Sequence, residues 1–471
     1  MPSGFTPRPH SPQDFDTAPA REAAASRRGY SRREFLQQAS VIAGASAFAP
    51  GISPLWAAEE SGKDKPRPRV AAVFTELRFR SHAYNFLENF LEPYVFNGRK
   101  VVPPVDVVSF YADQFPENDT GRAVAKRYGI PLYPSIAEAL CQGGKELAVD
   151  AVLLIGEHGD YPYNELGQHL YPRKEFFDQI AKVVEQSGRG IPLFNDKHFS
   201  YRWDWAKEMY DRAKELGMPL LAGSSVPLAQ RIPPLELPPE AKITEAVAIH
   251  GGGVEVYDFH GLEILQSLVE GRAGGETGVS RVQLVQGDAL WKAADEGRWS
   301  PELAQAALAA ELGDKAMSLR EFGALHAILI DYRDGLKGAV LKVGSGSTRW
   351  NFACRLADSP KPLATRFYVG PWGNRNLFMA LSYAIQQLFV SRKPPYPPER
   401  TLLTTGILDA AMHSRHANGE ALATSQLEFS YAPTDFRAVR EMGKTWELIT
   451  KETPETKDIL PGGSAKLVNA P

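Results

Sequence analysis

Cysteine is nearly absent from this 471-residue chain: Cys141 and Cys354 are the only two. That rules out a disulfide framework and leaves at most one bridge. Long apolar runs are missing as well, since no stretch of about 20 nonpolar residues occurs beyond the N-terminal region, so a multi-span membrane protein is excluded. Nor is there an excess of basic charge. Lys and Arg number 53 against 56 Asp and Glu, a formal net charge of −3, so no global field draws nucleic acid. What is present, 43% hydrophobic and 23% charged residues, is ordinary globular composition with ample material for a core. It excludes collagen, coiled coil and bulk disorder.

The N-terminal segment carries a recognisable order. Residues 1 to about 30 are rich in Pro, Ser, Ala and Arg without an apolar period, which reads as disorder. Ser31-Arg32-Arg33-Glu34-Phe35-Leu36 then leads into a small-residue apolar run from Ala39 to Pro50, and Ala57-Ala58 stands just before Glu59. Charged region, apolar region and small-residue cleavage site follow in sequence, and the paired arginines resemble a twin-arginine (Tat) export signal over residues 1–58. A basic amphipathic helix is the competing reading. Gly44 and Pro50 would break it, and the arginines sit at one end instead of along a face. The Tat resemblance implies a periplasmic or otherwise extracytoplasmic protein that meets the membrane only through its signal. It also implies export in the folded state, often with a cofactor already loaded.

Residues 68–226 alternate between short apolar runs and helical patterns. Val70–Phe74, Val105–Phe110, Val149–Ile155, Ile191–Phe194 and Met218–Ala222 read as strands. Helices are predicted around Ala83–Leu91, after the capping box Ser135–Glu138, along Phe176–Val184, and from a Ser200 cap through Trp203 to Gly217. This is the pattern of a Rossmann-like, doubly wound parallel sheet, an α/β domain in which ligands bind beyond the carboxyl ends of the strands. Polar residues gather there: Thr75, Glu76 and Arg78 after the first strand, Asp113 after the second, Glu157-His158-Gly159-Asp160 after the third and Asp196-Lys197-His198 after the fourth.

Prolines at 227, 233, 234, 238 and 239 mark the passage into a second α/β domain over 227–435. Strands at Val247–Ile249, Val279–Val285, Ala324–Asp331, Gly338–Val343 and Arg366–Val369 form an open mixed or antiparallel sheet with helices on one face. Asp334-Gly335 is its hairpin turn. The tail 436–471 is rich in Lys, Glu, Pro and Gly beyond about residue 440 and is expected to fray.

The order of elements resembles the Gfo/Idh/MocA oxidoreductase family across nearly all of 68–433. Asp196-Lys197-His198 stands where the family carries Glu-Lys-Pro. Gly251-Gly252-Gly253 leads to Tyr257-Asp258-Phe259-His260-Gly261-Leu262-Glu263, similar to a family stretch with a substrate-site histidine. The resemblance implies hydride transfer between NAD or NADP and a sugar or cyclic polyol, and a possible pairing of chains through the second sheet. Lys197 would position the hydroxyl and His260, with Asp258 beside it, would handle the proton. It further implies cofactor contacts from Thr75, Glu76, Arg78, Asp113, Glu157 and His158, and substrate contacts from Asp160, Asp196, His198 and Glu263.

One motif departs from the family. Its Gly-x-Gly-x-x-Gly falls on Phe74, Glu76 and Phe79, and all three glycines are gone. Those glycines permit the tight turn and the approach of the diphosphate. Bulk and a carboxylate in their place argue against ordinary dinucleotide binding. Two alternatives therefore stand beside the oxidoreductase: a non-catalytic carbohydrate-binding protein that lost its cofactor site, and a metal-assisted sugar enzyme using Glu157, His158 and Asp160. The N/O donor pattern of that cluster is nonspecific, and no metal is assigned from it.

Overall fold

The computed structural model describes residues 66–471; the segment 1–58, with its expected export signal, lies outside the described residues. Arg69–Phe74 (β1) is followed by a hairpin of Tyr94–Phe96 (β2) and Arg99–Val101 (β3). Asp106–Ala112 (β4), Leu132–Tyr133 (β5), Ala151–Ile155 (β6), Leu193–Asp196 (β7) and Leu220–Gly223 (β8) come next. Apart from the hairpin these form one six-stranded parallel sheet in the order β5-β4-β1-β6-β7-β8. The chain starts in the middle of the sheet, winds outward to one edge, returns and winds to the other, which is the doubly wound topology. β1 and β6 are continuous apolar runs because helices cover both of their faces.

Helices follow where the sequence places them. Ser81 caps the His82–Leu91 helix, its hydroxyl accepting from the Tyr84 N–H at 3.2 Å. That helix buries Phe86 against Phe194 of β7 and Phe378, with ring centroids 5.4 and 4.8 Å away. Ser135 caps Ile136–Cys141 as expected. Ser200 does not cap the helix Trp203–Glu215; the N-cap position is Arg202, and Ser200 accepts only from the Arg202 N–H at 3.4 Å.

The second sheet has eight strands: Gln230–Ile232 (β9), Ile243–His250 (β10), Val279–Gln286 (β11), Ala324–Tyr332 (β12), Lys337–Val343 (β13), Trp350–Leu356 (β14), Leu363–Tyr368 (β15) and Leu422–Ala423 (β16). Their order is β16-β11-β12-β13-β10-β14-β15-β9, and only β10 and β13 run parallel. Helices cover both faces, not one. On β10, Ala246 and Ala248 join the core shared with the Val256–Val269 helix and the first domain, while Val247 and Ile249 pack with Leu290, Trp299, Leu303 and Leu308. Successive side chains of a strand point to opposite faces. The unbroken apolar run of β10 is therefore the sequence signature of double coverage, and the one-sided expectation overlooked it. Among the described residues no helix is long and apolar enough to cross a membrane.

The tail is not frayed. Ile449, Ile459 and Ala465 are buried, the carbonyl of Pro471 accepts from Lys100 N at 2.8 Å, and Gly462 N donates to Glu92 at 2.7 Å. Its main anchor is Arg375, 3% exposed, which reaches Glu88 of the first helix, the Glu455 carboxylate at 3.1 Å and the Thr456 carbonyl at 2.7 Å. Composition suggested solvation because the few apolar residues of the tail are widely spaced; Ile449, Ile459 and Ala465 nevertheless find sockets, while Met442 and Leu460 stay exposed. Replacing Arg375 leaves two carboxylates without their shared cation, so Arg375→Ala is expected to lower the unfolding free energy by about 3–5 kcal/mol. Urea denaturation measures this, and a loss under about 1 kcal/mol, the scale of an exposed ion pair, would place the anchorage elsewhere.

Candidate active site

The carboxyl ends of β1, β6, β7 and β8 converge on one carboxylate. Glu157 follows β6, and its backbone carbonyl accepts from the Thr75 hydroxyl at the end of β1 at 2.7 Å. Its side chain is gripped by Lys197 at 2.7 Å and by the Arg173 guanidinium. Gly156 makes this possible, since a Cβ there would sit 2.7 Å from Cγ of Arg173. All three charged groups are buried. Burial alone would raise the Glu157 carboxyl, but Lys197 and then Arg173 overcome it and hold the group well below the usual carboxylate range.

Lys197 itself has a φ of +61°, a left-handed conformation that is uncommon outside glycine. Its backbone bridges to Gly223 at the end of β8. Gly223 has a φ of +127°, and a Cβ there would lie 2.7 Å from both a Glu263 oxygen and the Thr401 hydroxyl, so no other residue fits. The next residue, Ser224, contacts His260 Nδ1 at 2.6 Å and accepts from Val226 N at 3.0 Å. Lys197 and His260 thus meet across a two-residue step, Gly223–Ser224. Burial first, then the Lys197 charge, push the His260 imidazole well below its ordinary range, so it is neutral at physiological pH.

The other imidazoles complete a network. His82 Nδ1 lies 2.6 Å from Asp196, and His158 Nδ1 accepts from the His82 backbone N–H at 3.3 Å. His198 lies 3.3 Å from Glu255 and is kept neutral by burial and then by Arg173. Nearer the surface, Asp113 accepts from the hydroxyls of Tyr111 at 2.9 Å and Tyr161 at 2.5 Å, and exposed Asp160 is tied through its backbone to Gln114. Tyr163, 63% exposed, stacks on His169 with centroids 4.2 Å apart, and His169 backs onto Tyr171.

Two sequence candidates face elsewhere. Asp258 points away from His260 into the second sheet, where His250 and His326 lie 2.8 and 2.7 Å from its Oδ1. Glu263 is buried and does not reach Lys197 or the His260 ring in any hydrogen bond; it accepts from Ser224 N at 3.2 Å and from Thr404 at 2.7 Å, so it steadies the partner of His260. The trio Glu157, His158 and Asp160 is not assembled as a metal site either, because Glu157 already carries two cations and Asp160 is bound outward. Sequence reasoning missed Ser224, Arg173 and His82. A histidine opening a helix opposite a strand-end aspartate was the available signal for the last.

The first turn, after β1, is where this fold would seat a dinucleotide. Phe74 does not fill it, being wholly buried with its ring 5.4 Å from Phe110, and Phe79 lies over Tyr84. The obstruction is polar. The Ser81 hydroxyl accepts from both Arg78 N and Tyr84 N at 3.2 Å, His158 takes the His82 N–H, and buried Glu76 holds Arg78 at 2.6 Å. The Arg78, His82 and Tyr84 amides at this helix N-terminus are already occupied, and a carboxylate stands beside them. These residues do not fit an NAD or NADP diphosphate.

No family model matches the chain, and no curated protein emerges as a relative. Among solved structures it is similar to GenD2 from gentamicin A biosynthesis in complex with NAD, at 11% identity over 77% of this chain and 98% of that one, TM-score 0.50. A putative NADPH-dependent oxidoreductase from Desulfitobacterium hafniense has 13% identity, coverages of 77% and 99% and a TM-score of 0.49. A myo-inositol dehydrogenase from Corynebacterium glutamicum has 11% identity, coverages of 76% and 99% and a TM-score of 0.47. The chain has the two-domain dehydrogenase fold: a Rossmann-like parallel sheet followed by a mixed-sheet domain.

The buried neutral imidazoles set a pH dependence. Below the ordinary imidazole pKa of about 6.5 the unfolded chain takes up protons that folded His198, His250 and His260 refuse. Their contribution is complete above that pH and declines as pH falls, by up to about 1.4 kcal/mol per pH unit for each histidine. The urea midpoint is expected to drop from about pH 7.5 to about pH 5, and His260→Asn to make the decline shallower. A midpoint that is flat over this range would mean that these imidazoles protonate in the folded protein.

Proposed function

We propose that this chain is an exported protein of the dehydrogenase fold that binds a sugar or cyclic polyol between Lys197 and His260, and that it has given up the dinucleotide site in its first turn. The observation that carries this reading is the contrast between two neighbouring places. The turn that would take a diphosphate is closed on itself by Ser81, His158 and Glu76, while the Lys197–Glu157 and Ser224–His260 pairs are fully assembled. An ammonium donor and a neutral imidazole side by side suit vicinal hydroxyls: Lys197 donates to one oxygen, and His260 holds or accepts the proton of the next. The exposed ring of Tyr163 offers a flat apolar face of the kind that packs on a pyranose or cyclohexane ring. Export rests on the paired arginines of the N-terminal segment.

A second reading is a nicotinamide-dependent oxidoreductase acting on the same class of molecule. It is favoured by the meeting of Lys197 and His260 at Gly223–Ser224, and it requires the Ser81 and His158 contacts to open. Denaturing the purified folded protein and assaying the supernatant by absorbance and mass separates the two. No NAD(P) is expected; a stoichiometric nicotinamide nucleotide would overturn the first reading and establish the second. In calorimetry against a panel of aldoses and inositols, Lys197→Met and His260→Ala are each expected to weaken the best ligand at least about tenfold, or about 1.4 kcal/mol. Unchanged affinity in both would remove them from the site.

A further inference from the structure

Beneath the Val256–Val269 helix lies a cluster that the cleft does not use. His250 ends β10, Asp258 sits in the first turn of the helix, and His326 lies near the start of β12. One ligand atom from each falls within 4.8 Å of the other two. The two Nε2 atoms converge on the same carboxylate oxygen, at 2.8 Å from His250 and 2.7 Å from His326, and all three residues are buried, at 0%, 0% and 3% exposure. The second carboxylate oxygen is fixed by the Glu255 N–H at 2.8 Å. Asp258 and His260 are two residues apart on a helix, so they face opposite sides, and this cluster is separate from the cleft.

Among the described residues no Lys or Arg is hydrogen-bonded to the Asp258 carboxylate; its partners are the two imidazoles and the Glu255 N–H. A carboxyl group buried this deeply needs compensation from those partners or from a bound cation. Lys342 stands opposite both histidines in the strand register but is half-buried and makes no hydrogen bond to the carboxylate. His250 Nδ1 has no partner among the described residues, so nothing else fixes the tautomer of that ring.

We propose that His250, His326 and Asp258 bind one divalent transition-metal ion of borderline softness, with Zn²⁺ the first candidate. Two imidazoles and a carboxylate form the N/O set such ions prefer. Each histidine would coordinate through the Nε2 lone pair, its ring proton moving to Nδ1, so binding releases no net proton. With bond lengths of about 2.0–2.2 Å, tetrahedral ligand atoms lie about 3.3 Å apart, so each Nε2 retreats from Oδ1 by roughly half an ångström. The ion would pin β10, β12 and the helix carrying His260, with water completing its coordination.

The test uses the full chain, purified without an affinity tag or chelator. Elemental analysis is expected to find close to one Zn²⁺ per chain and at least a tenfold lower content in His326→Ala. Because that variant can lose its fold, the wild-type protein is also stripped and titrated with Co²⁺ alone, which should give the visible d–d bands of a low-symmetry N/O site, while Asp258→Asn, checked for native circular dichroism, should not. Metal-free protein that gains neither bands with Co²⁺ nor a higher melting temperature with Zn²⁺ would overturn the proposal. So would zinc retained undiminished in His326→Ala.

Discussion

One buried carboxylate organises the strand-end side of the first domain. Glu157 is held between Lys197 and Arg173 where water is excluded, and in that setting a pair is favourable only while every member is present. The consequences run outward through the backbone. Arg173 can approach because Gly156 has no side chain; Lys197 adopts a left-handed conformation to reach the carboxylate; its peptide then lies beside Gly223, which delivers Ser224 to His260. Four strand ends, one from each of β1, β6, β7 and β8, are thereby fixed relative to one another without any ligand. The arrangement is preorganised by its own charges.

The first turn tells the complementary story. In a parallel α/β domain the helix after β1 presents unpaired amides and the positive end of a dipole, which is why phosphates settle there. Here the same amides are answered from within, by a serine in the capping position and an imidazole from the neighbouring strand end. The fold is that of a dehydrogenase, yet here these amides serve ordinary capping. Fold and site must be argued separately for this reason.

Much of the architecture was legible in the sequence because it rests on local pattern. The apolar runs of β1, β4, β6, β7 and β8, the Ser135 cap and the Asp334-Gly335 hairpin are where expected. What escaped was set by distance along the chain. Strand Trp350–Leu356 (β14) is buried over its first five residues, but Asn351 interrupts its apolar run and hides that pattern, and β9 is three residues long. For the site, strand-end positions marked Glu157, Asp196, Lys197 and His198 correctly as neighbours, since topology alone brings them together. The direction of each side chain was not so readable. Asp258 and His260 look like partners in one dimension, but helical geometry sends them to opposite sides, and Phe74, which looked like an obstruction, is simply core. Arg173, sixteen residues after its partner Glu157, had no spacing rule to reveal it.

The seal over the first helix has an implication for folding kinetics. The Glu455 carboxylate reaches Arg80 across a separation of 375 residues, and the Pro471 carbonyl accepts from Lys100 N. Local contacts can build the parallel sheet early, but each of these late contacts must first overcome the entropy of closing a very long loop. The sealing of the first domain is therefore expected to be among the slowest steps by which the native state forms.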